Sequence, residues 1–407
     1  MTGARRLAGR GAALRGYDPC LRALATERVR VLFVHSTLEI GGAEEVRLCL
    51  LSCLDRSRYE AIVCCLQSGG PIADEIAALG YEVIVFGRRA HAFSLPTLIS
   101  LRRLIRQRRP HIVQTSLPRA NYWGRMAAAL ERVPVVIAEE HNVRESSDWA
   151  RPVIERVLGP TTDTVIAVSA AVRDAITLES ASRSRPTVVI PNPVNEKRLQ
   201  AQRQRAEVRG ELRINPDVSL VVHVGRMDET ASNGGQKGHD TLLEALAYMR
   251  VAGRAVACAL LGDGPGRASL EALATKLHVA DCVRFLGFRR DVADILAAAD
   301  VFAFPSRWEG MPIALMEAMW MGVPVVASDI APDRETLGDG AYGRLVPVES
   351  PAALSAAICD LLENEAERAR LGQQARAHAR TVFSPQQYAA RVADLWEELV
   401  ARKLGGQ

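Results

Sequence analysis

The feature that most constrains this chain is an alternation, made twice, between short apolar runs of strand length and longer segments with helical periodicity. The first series predicts strands at 29–34, 61–66, 82–86, 111–114, 135–138, 164–168 and 187–190, with helices such as 72–79 and 95–108 between them. Apolar runs without polar alternation need cover on both faces, as in a parallel sheet wrapped by helices. Pro191-Asn192-Pro193 interrupts the pattern, because two prolines around an asparagine favour extended or turn geometry and cannot continue a helix. A second series then predicts strands at 218–224, 257–261, 283–286, 301–304 and 325–328, and helices at 240–249, 266–277, 292–299 and 313–321. The expected class is α/β: two tandem Rossmann-like, doubly wound parallel-sheet domains, with a helical C-terminal segment. The expected divisions are a basic tail at 1–28, a first domain at 29–190, a second at 191–383, and a C-terminal helix at 384–407 that opens on Ser384-Pro385 and can pack back on the first domain. Each domain should carry a ligand crevice at the carboxyl ends of its strands.

With 407 residues there is enough chain for two such cores. The formal charge of +4 suits a small anionic ligand or a membrane surface. Nucleic acid is not expected as a partner, since only 5% of residues are aromatic and no recognition module is present. The eight cysteines lack zinc-site spacing and sit in apolar patterns, so they read as buried thiols in a reducing cytoplasm. No stretch approaches the roughly 20 apolar residues of a membrane-spanning helix. The first 28 residues lack the compact apolar region of a secretory signal and read as a loose basic tail or a misplaced start.

Two constellations carry chemistry. Arg226 leaves the end of a predicted strand, and Lys237 follows a glycine-rich loop. A guanidinium fork and an ammonium at a strand–loop–helix junction suit a diphosphate; two solvated side chains on a surface loop are the plain alternative. The second is Glu309-Gly310-Met311-Pro312-Ile313-Ala314-Leu315-Met316-Glu317. Its glutamates flank a helix start whose backbone N–H groups lack intrahelical partners, and carboxylates accept hydrogen bonds from vicinal hydroxyls. A sugar or a ribose is the natural partner. Glu317 lies in so apolar a run that a solvent-facing role is the poorer account.

Together these motifs resemble those of the group 1 (family 4) glycosyltransferases with the GT-B fold, over about residues 29–399. The likeness is carried by VGRM…KGHDTLLEA, LLGDGPGRASLEALA, VRFLGF and DVFAFPSRWEGMPIALMEAMWMGVPVVASD. The resemblance implies that the first domain serves the acceptor and the second binds a nucleotide-diphosphate sugar, the co-substrate, with no other cofactor. It implies that Glu309 holds donor-sugar hydroxyls, Glu317 the ribose, and Arg226 and Lys237 the pyrophosphate. Gly41 and Gly42 then approach the phosphates from the opposite lobe, Leu286 lines the base, and Gly310, Met311, Pro312, Ile313 and Ala314 form the donor loop. His141 falls where the family places a histidine near the reacting sugar, although a lone strand-end histidine is as often structural. Arg119, Asn121 and Arg144 are further acceptor-side candidates, and His35 and His111 read as core or strand-end residues. One departure is the long gap between Arg226 and Lys237, filled by DETASNGGQ.

The family further implies transfer of a hexose-type sugar with retention of configuration, in cell-surface polysaccharide or glycolipid synthesis. Arg226, Lys237 and the helix-start amides would stabilise the departing diphosphate. The sequence contains no Asp-x-Asp triplet, so no metal is expected. The rival readings are a sugar-nucleotide epimerase on the same fold, a non-catalytic transferase-like subunit, and a dinucleotide oxidoreductase. The last lacks G-x-G-x-x-G after its first strand. Finally, the predicted helix from Leu95 carries Arg102, Arg103, Arg106, Arg108 and Arg109, with Arg88 and Arg89 just before it and no acidic residue between Arg88 and Arg109. This implies a glycan or lipid-linked acceptor, an anionic membrane surface as a partner, and a cytoplasmic protein bound peripherally to the inner face of the membrane.

Overall fold

The computed structural model describes residues 28–87, 94–142, 151–179, 186–228 and 235–405. The first lobe holds a seven-stranded sheet: β1 (Val29–His35), β2 (Tyr59–Cys65), β3 (Glu82–Val85), β4 (Ile112–Ser116), β5 (Val135–Glu140), β6 (Thr164–Ala167) and β7 (Thr187–Val189). All pairings are parallel, in the order β3-β2-β1-β4-β5-β6-β7. The second lobe holds six parallel strands: β8 (Ser219–Val224), β9 (Val256–Leu261), β10 (Val283–Gly287), β11 (Val301–Phe304), β12 (Val325–Ser328) and β13 (Arg344–Val346), in the order β10-β9-β8-β11-β12-β13. Central strands β4 and β5 are buried throughout, while edge strand β3 is half exposed, as a sheet covered by crossover helices requires.

Strand order reverses between β1 and β4 in one lobe and between β8 and β11 in the other. Ligand crevices of open α/β sheets form at such switch points. At the first lie the Gly41-Gly42 loop, after β1, and Ser116, ending β4. At the second lie Gly225-Arg226, after β8, and the segment through Glu309, after β11.

The chain crosses between lobes twice, and the crossings touch: Val194 N–H donates to Phe383 C=O at 3.0 Å. Phe383 packs in the core of the second lobe. Beyond it the helix Pro385–Gly405 returns to the first lobe. There Tyr388, Val392, Leu395, Trp396 and Leu399 join the core built by Val31, Phe33 and Leu50. Their spacing of three and four residues puts one apolar stripe on the helix. Trp396 is fully buried against Phe33 and Tyr59, with ring centroids 5.9 and 5.2 Å away. Truncating such an anchor costs about 3–5 kcal/mol, so this segment is an integral part of the first lobe.

Candidate functional site

Lys237 and Glu309 meet in the second lobe, with Lys237 Nζ 2.6 Å from Glu309 Oε1. Both side chains are largely buried, at 19% and 6% exposure. Of the long segment between Arg226 and Lys237, the described end from Gly235 onward is anchored. Arg307 donates to Gly235 C=O at 2.8 Å, pairs with both oxygens of Asp240 at 3.0 and 2.9 Å, and its own N–H bonds Gln236 C=O at 2.8 Å. One segment, Arg307 to Glu309, therefore positions both members of the pair. Gly238 follows with φ +64, and a Cβ there would lie 2.0 Å from Pro305 C=O, so only glycine lets the backbone approach Pro305 this closely. Beneath lie the Phe304 ring, 5.5 Å from Lys237 Nζ, and the buried imidazoles of His223 and His239. Burial lowers both histidines, His239 to about 4. Asp333 is also buried, and neither carboxylate oxygen has a hydrogen-bond partner among the described residues. Burial, and then Glu309, raise its carboxyl well above the usual range, against the pull of Lys237. The pair thus stands on a low-dielectric floor, where its field on a ligand is strong.

The segment that follows Glu309 is held from the first lobe as well. Ser169, at the end of the segment after β6, donates from Oγ to Gly310 C=O at 2.7 Å and accepts from Val172 N–H at 3.2 Å. The neighbouring Ala170 N–H is bonded by both carboxylate oxygens of Glu335, at 3.0 and 2.8 Å. A Cβ on Gly310 would come within 1.9 Å of His141 C=O, so the lobes touch backbone to backbone at this point. Asn192 N–H lies 3.1 Å from Met311 Sδ, and a Cβ on Gly42 would sit 3.2 Å from Ile313 Cδ1. Pro312 precedes the helix Ile313–Met321, and no side chain caps that helix's first turn. Ile313 and Ala314 are half-buried there.

Glu317, one helical turn further, faces Glu45 across the cleft. Burial, then Glu45, raise its carboxyl to about 7, with Arg198 opposing. Arg198 ion-pairs with Glu45 and, at 2.5 Å, with Glu75, and Asn195 Nδ2 donates to Glu45 Oε2 at 3.2 Å. Arg226 behaves differently from Lys237: its side chain is 72% exposed and pairs with Asp228 at 2.9 Å. Leu286 is half-buried at the edge of the second core.

In the first lobe His141 Nε2 lies 2.9 Å from Ser116 Oγ, at the mouth of the β1–β4 crevice. Asn121 is buried and bonded to Thr115, to Glu139 C=O and to Glu140, which gives it a structural position. Arg119 is exposed, and Arg144 falls outside the described residues. His35 and His111 are both buried. Sequence reasoning missed Ser169, Arg198, Arg307 and Glu335. Only Ser169 left a signal, a serine between a strand and a helix.

The profile described as Glycosyl transferases group 1 matches residues 204–378, and that described as Glycosyltransferase Family 4 matches residues 40–198. The UDP-Gal:alpha-D-GlcNAc-diphosphoundecaprenol alpha-1,3-galactosyltransferase of Escherichia coli is 25% identical over 74% of this chain and 80% of its own length. The D-inositol 3-phosphate glycosyltransferase of Corynebacterium glutamicum is 28% identical over 72% and 74%. Among solved structures, Anabaena HepE in complex with UDP and glucose superposes with a TM-score of 0.79 at 22% identity, over 91% of this chain and 100% of that one. The chain belongs to the group 1, family 4 glycosyltransferases and is a sugar-transferring enzyme with the two-lobed GT-B fold.

Proposed function

We propose that this enzyme transfers a hexose from a nucleoside-diphosphate donor to a lipid-linked acceptor, with retention of configuration and without a metal ion. The observation that carries the reading is the Lys237–Glu309 pair, set at the β8–β11 switch point beside the Gly310 contact with the first lobe. In this reading Lys237 turns from Glu309 to the departing diphosphate, and Glu309, so released, accepts hydrogen bonds from the sugar hydroxyls. The exposed guanidinium of Arg226 swings from Asp228 onto the same phosphates, joined by the uncapped amides at Ile313 and Ala314. Glu317 takes the ribose, Leu286 borders the base, and Gly41 and Gly42 close over the phosphates. His141 lies beside the reacting sugar. Uridine is the first base to test, because HepE holds UDP and the Escherichia coli relative uses UDP-Gal. A panel of UDP- and GDP-sugars in thermal-shift assays tests the donor. Ligand at about 100 times its Kd should stabilise the fold by about 2.7 kcal/mol. If none of the panel stabilises the chain, the reading fails. Labelled donor then separates transfer from epimerisation and from inert binding.

For the acceptor, the support comes from helix Leu95–Arg108. The basic run is less free than the sequence implied: Arg102 and Arg106 share Glu131, and Arg108 pairs with Glu82, all from neighbouring elements. Arg88 and Arg89 lie outside the described residues. What stays outward is a stripe at four-residue spacing, Leu95 and Ile99 at 64% and 58% exposure followed by Arg103, which has no acidic partner among the described residues. Two apolar side chains and an arginine on one exposed face fit the headgroup layer of an anionic membrane. No helix among the described residues is long and apolar enough to cross one. Co-sedimentation with anionic liposomes should be lost on replacing Ile99 and Arg103 together by serine. Binding indifferent to lipid charge and to that change would point to a soluble acceptor.

A further inference from the structure

Beneath the cleft, the first lobe contains a chain of polar side chains sealed from solvent. Arg47, Gln114 and Glu139 are 0%, 0% and 1% exposed. Glu139, on β5, accepts from Arg47 Nη2 at Oε2, 2.6 Å away, and from Gln114 Nε2 at Oε1. Arg47 Nε donates to His35 Nε2 at 2.8 Å. On the far side the Trp396 indole N–H donates to Gln114 Oε1 at 2.8 Å. At the near end, Glu139 Oε2 is 3.7 Å from His141 Nε2, an electrostatic contact longer than a hydrogen bond. Burial alone would raise the Glu139 carboxyl, but Arg47, His141 and His35 hold it far below the usual range, so it is charged.

Stability does not account for this arrangement. A buried ion pair gives up so much hydration that apolar replacements of the same volume are often neutral or better. Here Arg47 Nη1 and His35 Nδ1 also have no hydrogen-bond partner among the described residues, a further cost. The one group of this network that borders the cleft is His141, whose side chain is 12% exposed and whose Nδ1, itself closed off from solvent while the lobes touch, also has no partner among the described residues.

We infer that Glu139 is a positioning residue for His141, and that Gln114 and Trp396 hold it in place, so that the C-terminal helix sets the imidazole at the reaction site. The inference rests on the reading of His141 as a neighbour of the reacting sugar. A carboxylate only accepts hydrogen bonds. Set against Nε2, it keeps the single proton of a neutral imidazole on that nitrogen and leaves the Nδ1 lone pair free. His141 then offers an acceptor that is shut off while the lobes touch and that fits a sugar hydroxyl admitted as they part. Ser116 cannot make this choice alone, because its hydroxyl serves Nε2 equally well as donor or acceptor. The direct Trp396–Gln114–Glu139 contacts also give the returning helix a role beyond covering the core.

The tautomer can be read without any substrate, by imidazole nitrogen NMR on the full chain labelled with 15N-histidine, the His141 signals being assigned by their loss in His141→Asn. The proton is expected on Nε2 in the wild type and in Ser116→Ala. The Nδ1–H form should rise at least about threefold in Glu139→Gln and in Trp396→Phe, the latter keeping the Arg47 ion pair and hence the fold. A wild-type proton on Nδ1, or its transfer there in Ser116→Ala, overturns the role of Glu139. A Trp396→Phe ratio equal to wild type overturns the role of the helix. In turnover of the donor found by the nucleotide-sugar panel, Trp396→Phe should lower kcat roughly fivefold with the donor KM unchanged, and should do nothing further in a His141→Ala background. Multiplying effects mean that Trp396 acts elsewhere and overturn the proposal. An unchanged kcat in His141→Ala alone overturns instead the placement of His141 beside the sugar, and with it any purpose in orienting the ring.

Discussion

Replacing Glu317 with glutamine keeps the shape of the side chain and removes a carboxyl that titrates at about 7, against an ordinary 4.5. Because the folded state holds this proton more tightly than the unfolded state does, stability falls as pH rises from about 4.5 through about 7, and is level beyond. The interval between the two values corresponds to about 3 kcal/mol at 1.36 kcal/mol per pH unit, reduced to about 2 because the side chain keeps part of its exposure. The cause is local: burial in the cleft first, then the like charge of Glu45 across it, with Arg198 too engaged by Glu45 and Glu75 to offset both. Glu317→Gln should therefore gain about 2 kcal/mol on the wild type between pH 5 and pH 8. Urea unfolding of both proteins at the two pH values measures this, since every other titrating group is common to them. Parallel pH dependences would show that Glu317 is solvated in the folded protein and would remove the physical basis for its place in the cleft. A ribose that donates hydrogen bonds to the carboxylate favours its charged form, so donor binding near pH 6.5 should release a proton.

The other expectations are more direct. Lys237→Ala and Glu309→Ala should each lower kcat by about two or more orders of magnitude without loss of the fold; a folded variant with near-normal turnover would remove that residue from the chemistry. Exhaustive chelation should leave activity intact, and loss with EDTA followed by recovery with magnesium or manganese would refute a metal-free route. Ser169→Ala removes both a helix cap and the bond to Gly310, so it should cost about 1 kcal/mol of stability and raise the donor KM. A donor KM equal to wild type would show that the Gly310 loop does not depend on the first lobe for its position.

The architecture was legible because parallel strands buried on both faces write continuous apolar runs into the sequence. The predicted spans 95–108, 301–304, 313–321 and 325–328 agree with the elements Leu95–Arg108, Val301–Phe304, Ile313–Met321 and Val325–Ser328. Strand β13 was missed because Arg344–Val346 is three residues long and begins with an exposed arginine, so it has neither length nor pattern to show. The site divides in the same way. Glu309 and Glu317 declare themselves by their spacing on one turn and one helix, which is local information. Ser169 and Gly310 are 141 residues apart, Arg198 and Glu45 153, and no periodicity records such pairs. The basic helix shows the converse: free of acidic residues along its own sequence, it finds Glu131 and Glu82 on the elements packed beside it.

These long-range contacts converge on a short stretch. Glu309 is held by Lys237, Gly310 by Ser169 and by the His141 backbone, Met311 by Asn192, and Ile313 by Gly42. Each of these partners after Lys237 belongs to the first lobe or to the crossing between lobes. The segment from Gly310 to Ile313 is therefore packed from both lobes, whereas Glu309 itself is held within the second lobe by Lys237. Gly310 is where this coupling is tightest, since any side chain there would drive His141 and the loop apart. If the proposed donor site lies here, contact between the lobes at Gly310 would limit the exposure of an activated donor to water.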